Sequence, residues 1–61
     1  MSAPTAAQQL EALGNLKAAD MAREDMVDAA MFRRRVRQPD AQPLSDKEIE
    51  RVNAIFKRYF D

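Results

Sequence analysis

The residues best suited to chemistry in this chain are the arginines of the segment RRRVR, at positions 33–37. This basic segment contains Arg33, Arg34, Arg35 and Arg37. Guanidinium groups bind phosphate, so the segment could anchor nucleic acid with a steep dependence on salt. Consecutive positions of a helix point in different directions, however, and the formal net charge of zero is unusual for a dedicated nucleic-acid binder. We therefore keep a nucleic-acid-associated regulator as an alternative function.

Carboxylates form the second group of residues with chemical potential. Asp20, Glu24 and Asp28 stand at i, i+4 and i+8, a spacing that would place them on one helical face where a metal could bind. The sequence contains no His and no Cys, which are the commonest metal ligands and the usual activated nucleophiles. A solvated acidic face is the better interpretation. We expect no metal, no cofactor and no catalytic residue, and therefore a protein that is not an enzyme.

The small size of the chain and its uneven charge favour interaction with partners. A chain of 61 residues buries only about 60 % of the surface that it exposes when unfolded, and such chains are often stabilised by assembly. Residues 1–31 carry five acidic and two basic side chains, residues 32–38 four basic ones, and residues 39–61 five acidic and four basic ones. The chain is thus divided into an acidic, a basic and a nearly neutral part.

The sequence shows no targeting or membrane segment. Its first twenty residues lack the basic start and the apolar run of a secretory signal. No stretch approaches the roughly 20 apolar residues of a membrane-spanning helix. We expect a cytoplasmic protein that forms a single small domain over residues 1–61 and does not enter a membrane.

The clearest predicted element is a helix over residues 46–60. Ser45 and Glu48 form the capping box S-x-x-E at its start, and Leu44 can pack against Ile49 as a hydrophobic staple. Apolar residues then repeat on one face with a period of 3.6 residues: Ile49, Val52, Phe56, Tyr59 and Phe60. This aromatic stripe can form part of the core or a docking surface for a partner.

A longer helical segment is predicted over about residues 6–37, beginning at a second capping box formed by Thr5 and Gln8. Gly14 and Asn15 mark a site for a break, so one continuous helix and two shorter helices both fit the sequence. The segment has a first apolar edge of Leu10, Leu13 and Leu16, and a second of Leu16, Ala19, Met26, Val27 and Ala30. A connector with two prolines, over residues 38–44, leads to the last helix.

The lengths of these helices predict an assembly. A continuous helix over residues 6–37 would span about 48 Å and the last helix about 22 Å, at about 1.5 Å per residue. The last helix, folded back as a hairpin, would leave the leucines of the first apolar edge uncovered, unless the chain breaks at Gly14 and folds back on itself. We therefore expect an all-α helical hairpin that oligomerisation, most simply a homodimer, or a larger protein completes into a helical bundle.

The predicted function is a non-enzymatic protein–protein interaction module, such as a small accessory, adaptor or inhibitory subunit. Its expected interface combines the leucines with the aromatic stripe: Leu10, Leu13, Leu16, Ile49, Val52, Phe56, Tyr59 and Phe60. The alternatives are a subunit that folds only on a larger protein and a nucleic-acid-associated regulator that uses the basic segment.

Overall fold

Helices make up most of the protein, and the all-α prediction is confirmed. A computed structural model describes residues 3–60, apart from the side chain of Ala18. Within residues 3–60 the chain forms α1 (Ala6–Gly14), α2 (Arg23–Arg37) and α3 (Asp46–Phe60), with a 3-10 turn at Ala18–Asp20 and no strand. The ends of the domain predicted over residues 1–61, namely Met1, Ser2 and Asp61, lie outside this description.

Both predicted capping boxes are present, at the starts of α1 and α3. The Gln8 N–H donates to Thr5 Oγ1 at 3.2 Å, and the Thr5 N–H donates to Gln8 Oε1 at 2.8 Å. The Glu48 N–H donates to Ser45 Oγ at 3.2 Å, and the Ser45 N–H donates to Glu48 Oε1 at 2.8 Å. These bonds satisfy backbone donors that a helix start would otherwise leave unpaired. Both starts are therefore determined by contacts between residues three positions apart.

Of the two arrangements that the sequence left open, the continuous helix over residues 6–37 is wrong and the pair of shorter helices is confirmed, because the chain leaves helical structure after Gly14. The Asn15 N–H donates to the Ala12 carbonyl at 3.1 Å. This bond joins residues three positions apart and closes a 3-10 turn, which is narrower than the i→i−4 turn of an α-helix. The chain then passes through the 3-10 turn and enters α2 at Arg23. The longest dimension of the molecule is 31 Å, which is too short for the 48 Å helix described above.

The side chain of Arg33 from α2 lies over Gly14 at the end of α1. A methyl group at this position would overlap the guanidinium group of Arg33, which crosses over the glycine. The backbone of Gly14 does not have a positive φ angle, and the guanidinium group is the end of a flexible side chain that could move aside, so neither conformation nor space demands a glycine here. The guanidinium group lies near the C-terminal end of α1, where the helix dipole favours a cation.

The return of the chain brings α1 against both α2 and α3. Among residues 3–60, each helix contributes two buried apolar side chains to the core: Leu10, Leu13, Ala29, Phe32, Val52 and Ile55. Leu16, Met21, Leu44, Phe56 and Tyr59 are partly buried around this core. Leu10 and Leu13 are covered within the chain itself. The argument for a homodimer that depended on their exposure therefore no longer holds.

α2 buries a different face from the one predicted. The second apolar edge included Val27 and Ala30, but Val27 is 53 % exposed and Ala30 is also exposed. The buried positions are Asp25, Ala29 and Phe32, at i, i+4 and i+7. The prediction failed because it continued the apolar edge of one long helix across the break between α1 and α2.

Leu10→Ala is expected to destabilise the folded chain strongly. Leu10 is fully buried, and truncation of a buried leucine leaves a cavity that costs about 2–5 kcal/mol. This loss is a large part of the total stability of a small domain. Urea unfolding followed by circular dichroism measures it, with Leu16→Ala, at a half-buried position, as the milder control.

The same measurement on the parent chain tests whether a second copy completes the core. If the core is closed within one chain, the urea midpoint stays constant over about a hundredfold range of protein concentration. A midpoint that rises with concentration would contradict the closed core and would favour a dimer.

Candidate functional site

A buried carboxylate, Asp25, lies at the centre of the polar contacts between α2 and α3. Its side chain is only 2 % exposed. Oδ2 accepts hydrogen bonds from Arg58 Nη1 and from the Tyr59 hydroxyl, each at 2.8 Å, and Oδ1 accepts one from Arg51 Nη2 at 3.1 Å. Burial of a carboxylate is costly unless it is paired and hydrogen-bonded in this way. We call these residues, together with Asp28, the Asp25 network.

Tyr59 joins the Asp25 network to the start of α2. The N-cap residue of α2 is Ala22, whose side chain cannot form a capping hydrogen bond. Its N–H donates to the Tyr59 hydroxyl at 2.9 Å, and the hydroxyl donates to Asp25. Asp25 stands three positions after the N-cap, where the acidic residue of a capping box is found. The tyrosine hydroxyl bridges the two groups, so α3 completes the cap of α2.

The contacts of the Asp25 network favour the charged forms of Asp25 and Arg51. The hydrogen bond from Tyr59, assisted by the charges of Arg58 and Arg51, holds the pKa of Asp25 below its ordinary value, against the opposing effect of burial. Asp28 Oδ2 accepts from Arg51 Nε at 3.1 Å and Nη2 at 3.0 Å, and this contact raises the pKa of Arg51. The network therefore links α2 to α3 through ion pairs and hydrogen bonds.

The three carboxylates considered for a metal site do not share one helical face. Asp20 belongs to the 3-10 turn that precedes α2, Glu24 is exposed in the first turn of α2, and Asp28 binds Arg51. In the described part of the chain, no group of three or more His, Cys, Asp or Glu residues is arranged to hold a metal ion.

Two arginines of the basic segment bind acidic side chains of other helices. Arg37 Nη2 donates to both carboxylate oxygens of Glu11 in α1, at 2.8 and 3.0 Å. Arg35 pairs with Glu48 of α3. The pKa of Glu48 lies below its ordinary value because it accepts the Ser45 N–H and the Arg35 guanidinium. Two of the four arginines therefore connect α2 to other helices, Arg37 to α1 and Arg35 to α3.

The arginines of the basic segment differ in exposure and in their contacts. Arg33 crosses Gly14 and is half-buried, whereas Arg34 is exposed on α2. Arg35 also donates to the carbonyl of Gln42 and, through Nη2, to that of Pro43, each at 3.3 Å, so it is held against the connector. Arg33, Arg34 and Arg37 nevertheless all line one surface pocket of about 340 Å³, and only Arg35 lies apart from it.

The predicted interface residues divide between the core and the surface. Leu10, Leu13 and Val52 are buried; Leu16, Ile49, Phe56 and Tyr59 are half-buried; and Phe60 is 45 % exposed. The buried residues are inaccessible to a partner in this fold. The accessible part of the aromatic stripe is its C-terminal end.

A groove of about 230 Å³ lies between α1 and α3 at this accessible end. We call it the α1–α3 groove, and its walls are formed by Gln9, Asn53, Phe56, Lys57 and Phe60. The rings of Phe56 and Phe60 stack with their centroids 4.8 Å apart and their planes at 18°. The groove therefore combines a flat apolar surface with a cationic side chain.

Gln9 is a residue of this groove that the sequence analysis did not identify. It is 8 % exposed, and its Oε1 is buried without a hydrogen-bond partner among residues 3–60. A buried acceptor that lacks a donor costs about 1–3 kcal/mol. The position of Gln9, one helical turn before the buried Leu13, was the available signal, because it places an amide on the inner side of α1.

Comparisons with known proteins add no functional information. No family model, no curated protein and no solved structure matches the chain. Within the described residues, none of the helices has the length and apolar character needed to cross a membrane.

Asp25 is expected to make stability depend on pH in acidic solution. Because its pKa is lower in the folded chain than in the unfolded chain, it stabilises the fold above the unfolded value of about 3.9. This contribution is lost as the pH falls through the lower, folded value. Urea midpoints measured from about pH 2 to pH 7 should therefore fall in acid, and less so in Asp25→Asn. An equal fall in both proteins would contradict this role.

Proposed function

We propose that this chain is a non-enzymatic protein–protein interaction module, a small accessory, adaptor or inhibitory subunit that docks through the α1–α3 groove. The observation that carries the proposal is the exposed aromatic pair in this groove, in which the half-exposed ring of Phe60 stacks on Phe56. Large aromatic side chains beside a concave surface are enriched among the residues that contribute most to protein–protein binding.

The exposed end of the aromatic stripe contributes little to closing the core. Val52 and Ile55 of the same helix are 0 % and 1 % exposed, whereas Phe60 occupies the last position of α3. A ring that stays half in water gains only part of the hydrophobic stabilisation available to it. A partner that covers the exposed part of the ring would add the rest of this hydrophobic stabilisation. The position of Phe60 therefore suits binding to a partner better than it suits a role in the core.

The rim of the groove carries a positive charge that could guide a partner. Lys57 is exposed, and it forms no ion pair with any other residue in the range 3–60. A rim charge mainly affects the rate of association and the choice of partner, through attraction to the opposite charge. An acidic site on the partner would suit this groove.

The contacts of the ionisable groups support a role without catalysis. The buried carboxylate Asp25 is surrounded by donors that keep it ionised, and Tyr59 is hydrogen-bonded between Ala22 and Asp25. An acid–base or nucleophilic catalyst needs a group whose pKa and position suit proton transfer to a substrate. The geometry of the Asp25 network instead suits the connection of α2 to α3.

The alternative function, a nucleic-acid-associated regulator, has weaker support. Arg35 and Arg37 already pair with Glu48 and Glu11, so binding to phosphate would have to compete with these contacts. The remaining arginines of the basic segment are few for a sequence-independent electrostatic interface.

Phe60→Ala is expected to weaken the binding of the partner protein strongly, with little effect on stability. The native binding protein would first be isolated by affinity purification and identified, and its affinity then measured by calorimetry. Truncation of a ring at the centre of an interface costs about 2 kcal/mol or more, which is roughly a thirtyfold loss of affinity. Met31→Ala is the matched control, because Met31 is equally large, apolar and exposed but lies on α2. Equal losses in both variants would contradict docking at the groove.

The nucleic-acid alternative is tested by fluorescence anisotropy with a labelled DNA duplex and a labelled single-stranded RNA. At about 50 mM salt, where electrostatic binding is strong, we expect no binding at micromolar protein concentrations. Binding that weakens steeply with salt, and that the double variant Arg33→Gln and Arg34→Gln removes, would favour the nucleic-acid function instead.

A further inference from the structure

We infer that a cationic pocket on α2 binds a phosphorylated side chain of a partner protein, together with an apolar side chain next to it. The cationic pocket is the one of about 340 Å³ lined by Ala30, Arg33, Arg34, Arg37 and Gln38. It shares no lining residue with the α1–α3 groove, so the inference goes beyond the docking proposed there. Three properties carry it: the convergence of three arginines, an excess of positive charge, and an apolar pocket that adjoins them.

The three arginines converge because they lie on one face of α2. Counted from Ala30, they stand at i+3, i+4 and i+7, positions that share one face of an α-helix. Arg35 lies on another side, where it contacts the connector and Glu48. The helix dipole favours cations in this last turn but does not require them to share a pocket. Like charges at these spacings repel one another, so an anion bound between them would stabilise the helix.

The positive charge of the cationic pocket is only partly balanced within the chain. Arg37 pairs with Glu11, but the two side chains are 63 % and 54 % exposed, and exposed ion pairs contribute little to stability. Arg33 and Arg34 form no ion pair with any residue between positions 3 and 60. Three guanidinium groups and one carboxylate therefore leave two positive charges for a ligand.

A phosphate monoester matches this charge and this number of donors. A phosphorylated serine or threonine carries nearly two negative charges at neutral pH and three acceptor oxygens, and guanidinium groups bind such oxygens in pairs. A carboxylate has one charge and two oxygens, so it would balance only part of the excess. The phosphates of nucleic acid carry one charge each along a strand, so they suit a row of cations better than a single pocket.

The adjoining apolar pocket indicates what lies next to the phosphate. It has a volume of about 180 Å³ between the end of α1 and α2, and it shares Ala30 and Arg33 with the cationic pocket. Its walls include Leu16, Met21 and Met26, and methionine side chains adapt to apolar groups of different shapes. The volume lies below the range of about 300–1,000 Å³ found for small-molecule sites and suits one aliphatic side chain. A phosphorylated protein segment supplies both groups on neighbouring residues.

The experiment compares three peptide probes. The first is N-acetyl-leucyl-phosphoseryl-leucine amide, in which either chain direction places a leucine beside the phosphate. The second lacks the phosphate, and the third has alanine in place of both leucines. Binding to the full chain is followed by nuclear magnetic resonance, through the Nε–H groups of Arg33, Arg34 and Arg37 and the methyl groups of Met21 and Met26.

The parent chain should bind the first probe most tightly. The second probe should bind at least about tenfold more weakly, because hydrogen bonds to a charged group are lost with the phosphate. The third probe should bind about fivefold more weakly than the first, because alanine buries less apolar surface than leucine. Inorganic phosphate, which has no aliphatic group, should also bind more weakly than the first probe.

Two arginine variants locate the phosphate. Arg34→Gln should reduce the effect of the phosphate and leave the effect of the leucines unchanged, since Arg34 lines the cationic pocket but not the apolar one. Arg23→Gln is the matched control, because Arg23 is also an exposed arginine of α2 but lies outside both pockets. It should bind the probes as the parent chain does. Circular dichroism should show the same helicity in both variants, since neither arginine forms an ion pair within residues 3–60.

Equal affinity of the parent chain for the first two probes would overturn the inference, as would the absence of binding to any probe. Equal affinity for the first and third probes would overturn it as well, since the phosphate alone would then be recognised. Equal losses in Arg34→Gln and Arg23→Gln would show a non-specific charge effect and would contradict the site. Tighter binding of a DNA duplex than of the first probe would overturn the inference in favour of nucleic acid.

The outcome at the cationic pocket is separate from the outcome at the α1–α3 groove. Phe60 lies in the groove and outside both pockets on α2, so Phe60→Ala should bind the first probe as the parent chain does. A loss of the first probe in Phe60→Ala would contradict two independent sites.

Discussion

The position of α1 across α2 and α3 is the constraint on which the rest of the fold depends. Among the described residues, Leu10 and Leu13 of α1 are two of the six buried apolar side chains. α2 and α3 are linked by polar groups at two places, through the Arg35–Glu48 pair and through the Asp25 network. α1 packs against both of these helices, and its two leucines join the apolar core that they share. The break after Gly14 therefore divides a short chain into a third helix, which packs against the other two.

The same arrangement explains how part of the aromatic stripe stays at the surface. The contacts of Arg58 and Tyr59 with Asp25 hold the last turn of α3 against the start of α2. Consecutive helical residues point in different directions, so an inward Tyr59 leaves Phe60 on another face, beside Gln9 of α1. A contact that stabilises the fold thus also determines where the exposed ring lies. Tyr59 thus stabilises the fold, and its neighbour Phe60 lies in the proposed docking groove.

Local signals in the sequence were sufficient for the starts of α1 and α3, whereas the start of α2, which has no side-chain cap, was not predicted. Non-local contacts were the source of the errors. The boxes at Thr5 and Ser45 involve residues three positions apart, so both could be read from the sequence. The inward position of Asp25 depends on partners 26 to 34 residues away, and no periodic pattern shows these. Gln9 could be predicted only once the break after Gly14 was known, because the break decides which face of α1 meets α3. The α1–α3 groove could not be predicted either, because it exists only where the packed helices α1 and α3 meet.

The bridging role of Tyr59 has a consequence for the kinetics of folding. The capping boxes can form in a nearly unfolded chain, because each closes over three residues and local contacts cost little loop entropy. The hydroxyl of Tyr59 reaches Ala22 only when residues 37 positions apart have come together. We therefore expect the boxes to influence how fast the native state is reached. We expect the contact of Tyr59 to form late, because it needs distant residues to meet, and therefore to affect mainly the rate of unfolding.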